Sequence, residues 1–112
     1  HGIRFHAPPA PQKSNYSYFH IFVEDEYPLK REELNEKLKS SGISGCRYFY
    51  PQISQFTMYG GLPSAKRAYL PWTNFVAQQV MWLPLYSNLV NIEVRRITNT
   101  IRSLVSLSPI TV

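Results

Sequence analysis

The chain has few cysteines and histidines, the residues that form disulfide bonds and most zinc sites. Its single cysteine, Cys46, cannot form an internal disulfide, which favours a reducing, cytosolic setting. Three histidines without an HxxxH or CxxC spacing indicate that no metal is bound. No apolar run approaches the roughly 18 residues of a membrane span. These absences predict a cytoplasmic domain without a metal site, an internal disulfide or a membrane segment.

Acidic residues are also scarce, and the surplus of cations raises the question of a nucleic-acid partner. Seven Asp and Glu against 12 Lys and Arg give a net charge of +5. However, the cations between residues 30 and 39 alternate with three glutamates, as on the solvated surface of a helix. This layout predicts no nucleic-acid partner.

Residues 1–14 differ in composition from the rest of the chain. Pro8, Pro9 and Pro11 lie close together among alanines, which predicts an extended tail or linker with little packing of its own. From residue 15 onward the hydrophobic patterning is that of one globular domain, and a chain of 112 residues has room for one core. The predicted division is therefore a tail over 1–14 and a domain over 15–112.

Within that domain, strand patterns and helix patterns alternate. Alternating apolar residues predict an inner strand over 16–23, and shorter apolar runs predict strands over 43–50 and 81–83. Three helices are predicted: over 29–41 with its stop at Gly42, from Pro71 onward, and from about residue 88 to Pro109. The last helix carries a core-facing stripe of Val90, Val94, Ile97, Ile101 and Leu104. The predicted fold is α+β, an α/β sandwich with a sheet of about three strands and three helices packed on it.

The segment Arg47-Tyr48-Phe49-Tyr50-Pro51 is the most informative part of the sequence. It is an aromatic strand with one cation that opens into a long loop over residues 51–70. Arg47 could lie over Tyr48 or Phe49 with its head in water, or it could bind an anionic or hydroxyl-bearing ligand. In the second case Tyr48 and Tyr50 would supply hydroxyl groups beside it. We take these three residues as the candidate substrate-binding set.

Other residues with reactive or bulky side chains are assigned to packing. Cys46 would need a base to act as a nucleophile, and His20 is the only ordered candidate, so a packing role is expected for both. Trp72 and Trp82 are expected in the core. No residue of the chain is predicted to be catalytic.

The order of several motifs resembles the C-terminal region of the DegT/DnrJ/EryC1/StrS aminotransferases. The resemblance covers residues 3–101 and rests on the segments at 15–24, 27–34, Gly42-Ile43, 47–51 and Leu83-Pro-Leu-Tyr86. Three positions depart from the family pattern. His20 stands where many relatives have proline, Lys30 where a serine-like helix cap is common, and Ile53 where many have histidine.

The resemblance implies that the chain is the small C-terminal domain of a fold-type I enzyme. Such enzymes use pyridoxal phosphate (PLP) to aminate keto-sugars attached to nucleotides, here for amino-deoxy sugars of surface polysaccharide. The lysine that binds the cofactor would lie in a large domain upstream, since none of the chain's five lysines has the matching context. His1 in place of an initial methionine agrees with a processed or excised piece. The resemblance thus implies a nucleotide-sugar substrate, a homodimeric parent enzyme, and a fragment that is inactive and free of PLP.

Two alternatives from other classes remain open at this point. One is a basic, aromatic α/β module that binds single-stranded nucleic acid by ring stacking. The other is a structural or dimerisation domain without a ligand.

Overall fold

Four short strands form one antiparallel sheet in the computed structural model, which describes residues 1–106. In chain order they are β1 (Ile3–Phe5), β2 (Phe19–Val23), β3 (Cys46–Arg47) and β4 (Val80–Leu83). Their order across the sheet is β1-β2-β4-β3, and every neighbouring pair is antiparallel. Because β2 lies between β1 and β4, its predicted place inside the sheet is confirmed.

Three α-helices accompany the sheet, as the sequence predicted. They are α1 (Arg31–Ser40), α2 (Pro71–Gln79) and α3 (Asn91–Ser106). Between β3 and α2 the chain forms three single 3-10 turns, at Ile53–Gln55, Pro63–Ala65 and Arg67–Tyr69. The α+β class is confirmed. The end of the last helix, predicted at Pro109, lies outside the described residues.

Two expectations about the strands need correction. Residues 3–5 were expected in an unpacked tail but form β1, an edge strand that pairs with β2, with Ile3 opposite Val23. The sheet therefore has four strands rather than about three. Of the strand predicted over 43–50, only Cys46–Arg47 pairs in the sheet, and two residues later the chain turns at Phe49, whose φ is +40°. Such a φ is uncommon for a non-glycine residue and turns the backbone out of the strand direction.

Helix α1 begins and ends as its sequence dictates. At its start the backbone N–H of Lys30 donates to the Glu33 carboxylate at 2.8 Å, one half of a capping box. At its end Gly42 has φ +74°, and its N–H donates to Lys39 O while that of Ile43 donates to Leu38 O. This is the Schellman arrangement, and it requires a left-handed residue that glycine supplies without steric cost.

The core lies between one face of the sheet and helices α1 and α3. Leu34, Leu38 and Met81 are its fully buried large side chains. Ile21 and Ile97 join the same cluster, so it connects β2, β4, α1 and α3. On the other face, the paired residues His20 and Trp82 are only half-buried.

Helix α3 is held to the rest of the core through a buried tyrosine. The Tyr27 hydroxyl donates to Ile101 O at 2.8 Å, and burial raises the pKa of that hydroxyl. The apolar stripe predicted for α3 is buried only in part, since Val90 and Val94 are exposed while Ile97 is buried.

One expectation about the core was wrong. Trp72, in the first turn of α2, is 78% exposed. Trp82 is half-buried in β4. None of the helices found over residues 1–106 is both long enough and apolar enough to cross a bilayer.

Candidate functional site

Arg47 is the last residue of β3, at the edge of the sheet beside β4. Its partner across the strands is Met81, and the neighbouring pair is Cys46 with Trp82. Directly paired residues of antiparallel strands project to the same face. Arg47 therefore leaves the sheet on the face of Met81, toward α1.

The Arg47 guanidinium lies between a carboxylate and an aromatic ring. Its Nη2 is 3.2 Å from Oε1 of Glu32 in α1, and its Cζ is 4.4 Å from the ring centre of Tyr50. The side chain is 37% exposed, so part of the donor fork still faces solvent. The expected stacking partners were Tyr48 or Phe49. Tyr50 takes that place, because the turn at Phe49 brings the next residue back over Arg47.

Glu32 bridges Arg47 to a second, buried arginine. Arg31 is 7% exposed; its Nη2 donates to the Glu32 carboxylate and its Nη1 to Ala77 O and Val80 O. Burial alone would raise the pKa of Glu32. Hydrogen bonds from Arg31 and from its own backbone, with the charges of both arginines, outweigh burial and lower that pKa. Glu32 is therefore ionised at neutral pH.

These residues line a polar cleft of about 310 Å³ between α1 and β3. Side chains of both charge signs surround it, among them Glu36 and Lys39 together with Arg31, Glu32 and Arg47. A cleft of this composition can receive a polar or charged group, with Arg47 at its rim.

Tyr48 lies in a ring cluster on a different surface. Its ring centre is 4.4 Å from those of His20 and Phe49, and 5.8 Å from that of Tyr18. Tyr18 also meets Trp82 edge to face at 5.6 Å. Burial in this cluster lowers the pKa of His20, so the imidazole is neutral at pH 7. The three candidate residues are thus divided: Arg47 and Tyr50 contact each other, whereas Tyr48 packs beside His20.

Two members of the site were not singled out from the sequence. Glu32 and Arg31 were assigned to the solvated surface of α1, and the alternation of charges there gave no sign of a buried arginine. The pairing of α1 with the edge of β3 is a tertiary contact, which the ion pair between Glu32 and Arg47 reveals.

Residues 1–106 form neither a cysteine–histidine nucleophilic pair nor a cluster of metal ligands. Cys46 and His20 both pair with Trp82, from opposite sides of β4. Two strand spacings, about 10 Å, therefore separate their backbones, which is too far for a hydrogen bond. Cys46 is exposed rather than packed. No three His, Cys, Asp or Glu side chains come together as metal ligands in the described part of the chain.

An apolar groove of about 630 Å³ opens beside the site, between the residues that follow β3 and helix α2. Tyr48 and Phe49 form part of one wall and Val76 part of the other, with Ile53 and Trp72 at the rim. We call residues 51–70 the arm; it starts and ends at this groove.

Comparison with known proteins identifies the family. A model of the DegT/DnrJ/EryC1/StrS aminotransferase family matches residues 2–102. The chain belongs to this family. The match includes residues 2–14, in agreement with the place of β1 in the sheet.

Two curated relatives are sugar-nucleotide transaminases. A dTDP-4-amino-4,6-dideoxy-D-glucose transaminase of Escherichia coli is 46% identical over 76 residues, which is 68% of this chain and 20% of that protein. One of Shigella dysenteriae with the same name is 37% identical over 106 residues, 92% of this chain and 28% of that protein. This chain thus spans about a quarter of the length of the curated relatives it matches.

Solved aminotransferase structures share the fold. The aminotransferase TlmJ from Streptoalloteichus hindustanus superposes with a TM-score of 0.75 at 22% identity, over 94% of this chain and 26% of its own. A DegT/DnrJ/EryC1/StrS aminotransferase from Brucella abortus gives a TM-score of 0.76 at 20% identity, over 93% and 26%. None of these four names describes a nucleic-acid-binding module, so the comparisons give no support to that alternative.

Proposed function

We propose that this chain is the C-terminal small domain of a PLP-dependent transaminase that acts on nucleotide-linked keto-sugars. The observation that carries the proposal is the 46% identity to a dTDP-4-amino-4,6-dideoxy-D-glucose transaminase. The product would be an amino-deoxy sugar for surface polysaccharide. Because the chain spans 20% and 28% of its two relatives, the complete enzyme would contain a further, larger part.

The residues of this chain do not fit PLP by themselves. A transaminase of this kind holds the cofactor through a lysine amine in a shielded pocket. All five lysines here are exposed; Lys30 pairs with Asp25 at 3.1 Å and Lys39 with Glu36 at 3.2 Å. We therefore assign the cofactor to the large domain, and no chemical step to this chain alone.

In the proposal, Arg47 contacts the anionic part of the nucleotide-sugar. A guanidinium has five N–H donors, and its fork matches phosphate oxygens. Glu32 engages one nitrogen of Arg47, and the ring of Tyr50 holds the plane of the group. The remaining donors can bind a substrate oxygen without breaking either contact.

The two tyrosines would bind the substrate from neighbouring surfaces. Tyr50 is 64% exposed, so its hydroxyl can reach a substrate oxygen while its ring stays against Arg47. Tyr48 is half-buried against His20, which fixes its ring and leaves the hydroxyl as its polar contact. The same proposal makes the complete enzyme a cytoplasmic homodimer.

An amino-transfer assay tests the function. The complete protein that carries this domain would be incubated with PLP, dTDP-4-amino-4,6-dideoxy-D-glucose and a 2-oxo acid, and the nucleotide-sugar followed by mass spectrometry. We expect the sugar amine to become a carbonyl and the 2-oxo acid to become an amino acid. No exchange with this or any other nucleotide-linked amino sugar would refute the proposal.

A second test concerns the place of the cofactor. The 112-residue chain mixed with PLP and then dialysed should show no visible absorbance band, because no shielded lysine is present to retain the cofactor. A band that survives dialysis would contradict the assignment of PLP to the large domain.

A further inference from the structure

Glu32 is held in place by a buried arginine, unlike the acidic partners in the other ion pairs of residues 1–106. The Nη2 group of Arg31 donates to Oε1 of Glu32, and the Nη1 group of Arg31 donates to the carbonyls of Ala77 and Val80. These two carbonyls lie where α2 ends and β4 begins. In the other ion pairs of the described chain, both side chains are at least partly exposed. Glu32 is therefore tied to the folded framework through its partner.

The same oxygen of Glu32 also faces Arg47. Its Oε1 atom is 3.2 Å from Arg47 Nη2, so one carboxylate oxygen lies next to two guanidinium groups. The backbone carbonyl of Arg47 accepts a hydrogen bond from Trp82 Nε1 at 3.2 Å, and the ring of Tyr50 lies against the guanidinium. Arg47 is thus held at both ends, at its backbone by β4 and at its charged head by Glu32.

The anchoring of Glu32 distinguishes this ion pair from an ordinary surface pair. A surface pair contributes little, because two flexible side chains must be ordered to form it. That cost is reduced here, because the buried Arg31 already orders Glu32. A guanidinium that is ordered before its ligand arrives loses less conformational entropy on binding, which raises its affinity for the ligand. The geometry therefore favours Glu32 as a support for Arg47 over Glu32 as an isolated surface charge.

We propose that Glu32 is a positioning residue, which fixes the guanidinium of Arg47 for the anionic group of the nucleotide-sugar. This inference rests on the proposed function, in which Arg47 makes that contact. Glu32 acts through Arg47 and not on the substrate itself. The ion pair occupies Nη2 of Arg47, so Nε and Nη1 can donate to the ligand.

Charge alone predicts the opposite effect of removing Glu32. Arg31 and Arg47 carry two positive charges against one carboxylate, so the loss of Glu32 makes this part of the surface more positive. If Glu32 were only a counter-charge, its removal would strengthen the attraction for an anionic substrate. If it positions Arg47, its removal weakens substrate binding in spite of the added positive charge. The direction of the change therefore separates the two roles.

Kinetics of three variants of the complete protein test the positioning role. Glu32→Ala removes the charge and the contact, whereas Glu32→Gln removes the charge but keeps an oxygen that can face both arginines. The matched control is Glu24→Ala, since Glu24 also pairs with an arginine, Arg4, at 2.6 Å. Arg4 lies in β1, at the opposite edge of the sheet from β3. The ratio kcat/KM would be measured separately for the nucleotide-sugar and for the 2-oxo acid, which react in separate half-reactions.

We expect Glu32→Ala to lower kcat/KM for the nucleotide-sugar at least about fivefold, the scale of one coupled contact, and to leave kcat/KM for the 2-oxo acid unchanged. Glu32→Gln should recover most of that loss, and Glu24→Ala should match the wild type. An unchanged or higher kcat/KM for the nucleotide-sugar in Glu32→Ala would overturn the proposal. An equal loss for both substrates would also overturn it, because it indicates a general structural defect.

Arg47→Ala separates failure of this inference from failure of the proposed function. In the Arg47→Ala background, Glu32→Ala should have no further effect on the nucleotide-sugar, because the side chain that it positions is absent. An active protein that is sensitive to Arg47→Ala but unaffected by Glu32→Ala refutes only the positioning role. A wild-type protein without amino transfer refutes the proposed function, and the positioning role with it.

Discussion

The core side of this domain and the side formed by the arm and α2 differ in how deeply their apolar side chains are buried. Between the sheet and helices α1 and α3, the exposed fraction of Leu34, Leu38 and Met81 is 1% or less. By contrast, Met58 in the arm is 75% exposed and Trp72 in α2 is 78% exposed. Both regions are rich in apolar residues, so composition does not separate them.

What separates the two regions is the presence of a partner element within the chain. The core side is closed by helices that follow the strands in sequence, whereas the arm and α2 have only the groove between them. Over the described residues, the core side is therefore closed within the domain, whereas the side of the arm and α2 leaves large apolar side chains exposed. Substitutions on the two sides should therefore affect different quantities.

The largest effect is expected from truncation of the core. Leu38→Ala removes a fully buried side chain and should lower the free energy of unfolding by about 2–5 kcal/mol. The control Leu62→Ala, in the arm at 50% exposure, should change it by less than about 0.5 kcal/mol. Urea denaturation of the 112-residue chain measures both. Equal losses would show that the arm is part of the folded core.

Removal of the buried arginine should have the next largest effect. Arg31→Leu leaves the carbonyls of Ala77 and Val80 without their donor and should cost about 1–3 kcal/mol of stability. Arg102→Leu, an exposed position on α3, serves as the control in the same denaturation experiment. A neutral Arg31→Leu would mean that α1 and the end of α2 are not joined through this side chain.

Gly42 at the end of α1 and Gly61 in the arm form a matched pair of glycines. Gly42→Ala forces a Cβ into φ +74° and should cost about 1–2 kcal/mol. Gly61→Ala in the arm meets no atom within 4 Å and should be neutral or slightly stabilising. Thermal unfolding of the two variants compares them. A neutral result at Gly42 would contradict the Schellman stop of the helix.

The smallest effect concerns acid stability. The pKa of Glu32 is lowered in the folded state, because the hydrogen bonds and the two arginines outweigh burial. Because the pKa is lowered, the ionised Glu32 stabilises the folded chain fully above the ordinary pKa of 4.5. This stabilisation is lost as the pH falls through the lowered pKa of the folded state.

Glu32→Gln should remove this pH dependence of the unfolding free energy. The free energy involved is no more than about 1 kcal/mol, because the Glu32 side chain is half-exposed. Stability measured from pH 7 downward should decline more in the wild-type chain than in the variant. Parallel curves would show that Glu32 is not held by Arg31 and Arg47.

The sequence predicted a helix or strand well where that element carries a local sequence signal. Acidic residues in its first turn, basic residues in its last turn and Gly42 after it located α1. The alternation of side chains between two sheet faces before Val23 located β2. The edge strand β1 was missed because three residues between a glycine and a proline-rich run have no visible period, and only pairing with β2 makes them a strand. The burial of Trp72 was mispredicted because helical spacing does not reveal whether a helix face has a partner.

The candidate site shows the same limit. Arg47, Tyr48 and Tyr50 are adjacent in sequence, yet the turn at Phe49 sends Tyr48 to one surface and Tyr50 to another. The partnership of Arg47 with Glu32 spans α1 and β3, and no spacing rule connects those positions. Their role in substrate binding stays a prediction.

Steady-state kinetics of the complete protein test that role most directly. Arg47→Ala and the control Arg102→Ala would each be assayed for amino transfer with the nucleotide-sugar. The account predicts that Arg47→Ala raises KM or lowers turnover at least about tenfold, the change expected for one lost charge-assisted contact of about 1.5–3 kcal/mol, while Arg102→Ala stays near wild type. Equal effects of the two substitutions would contradict it.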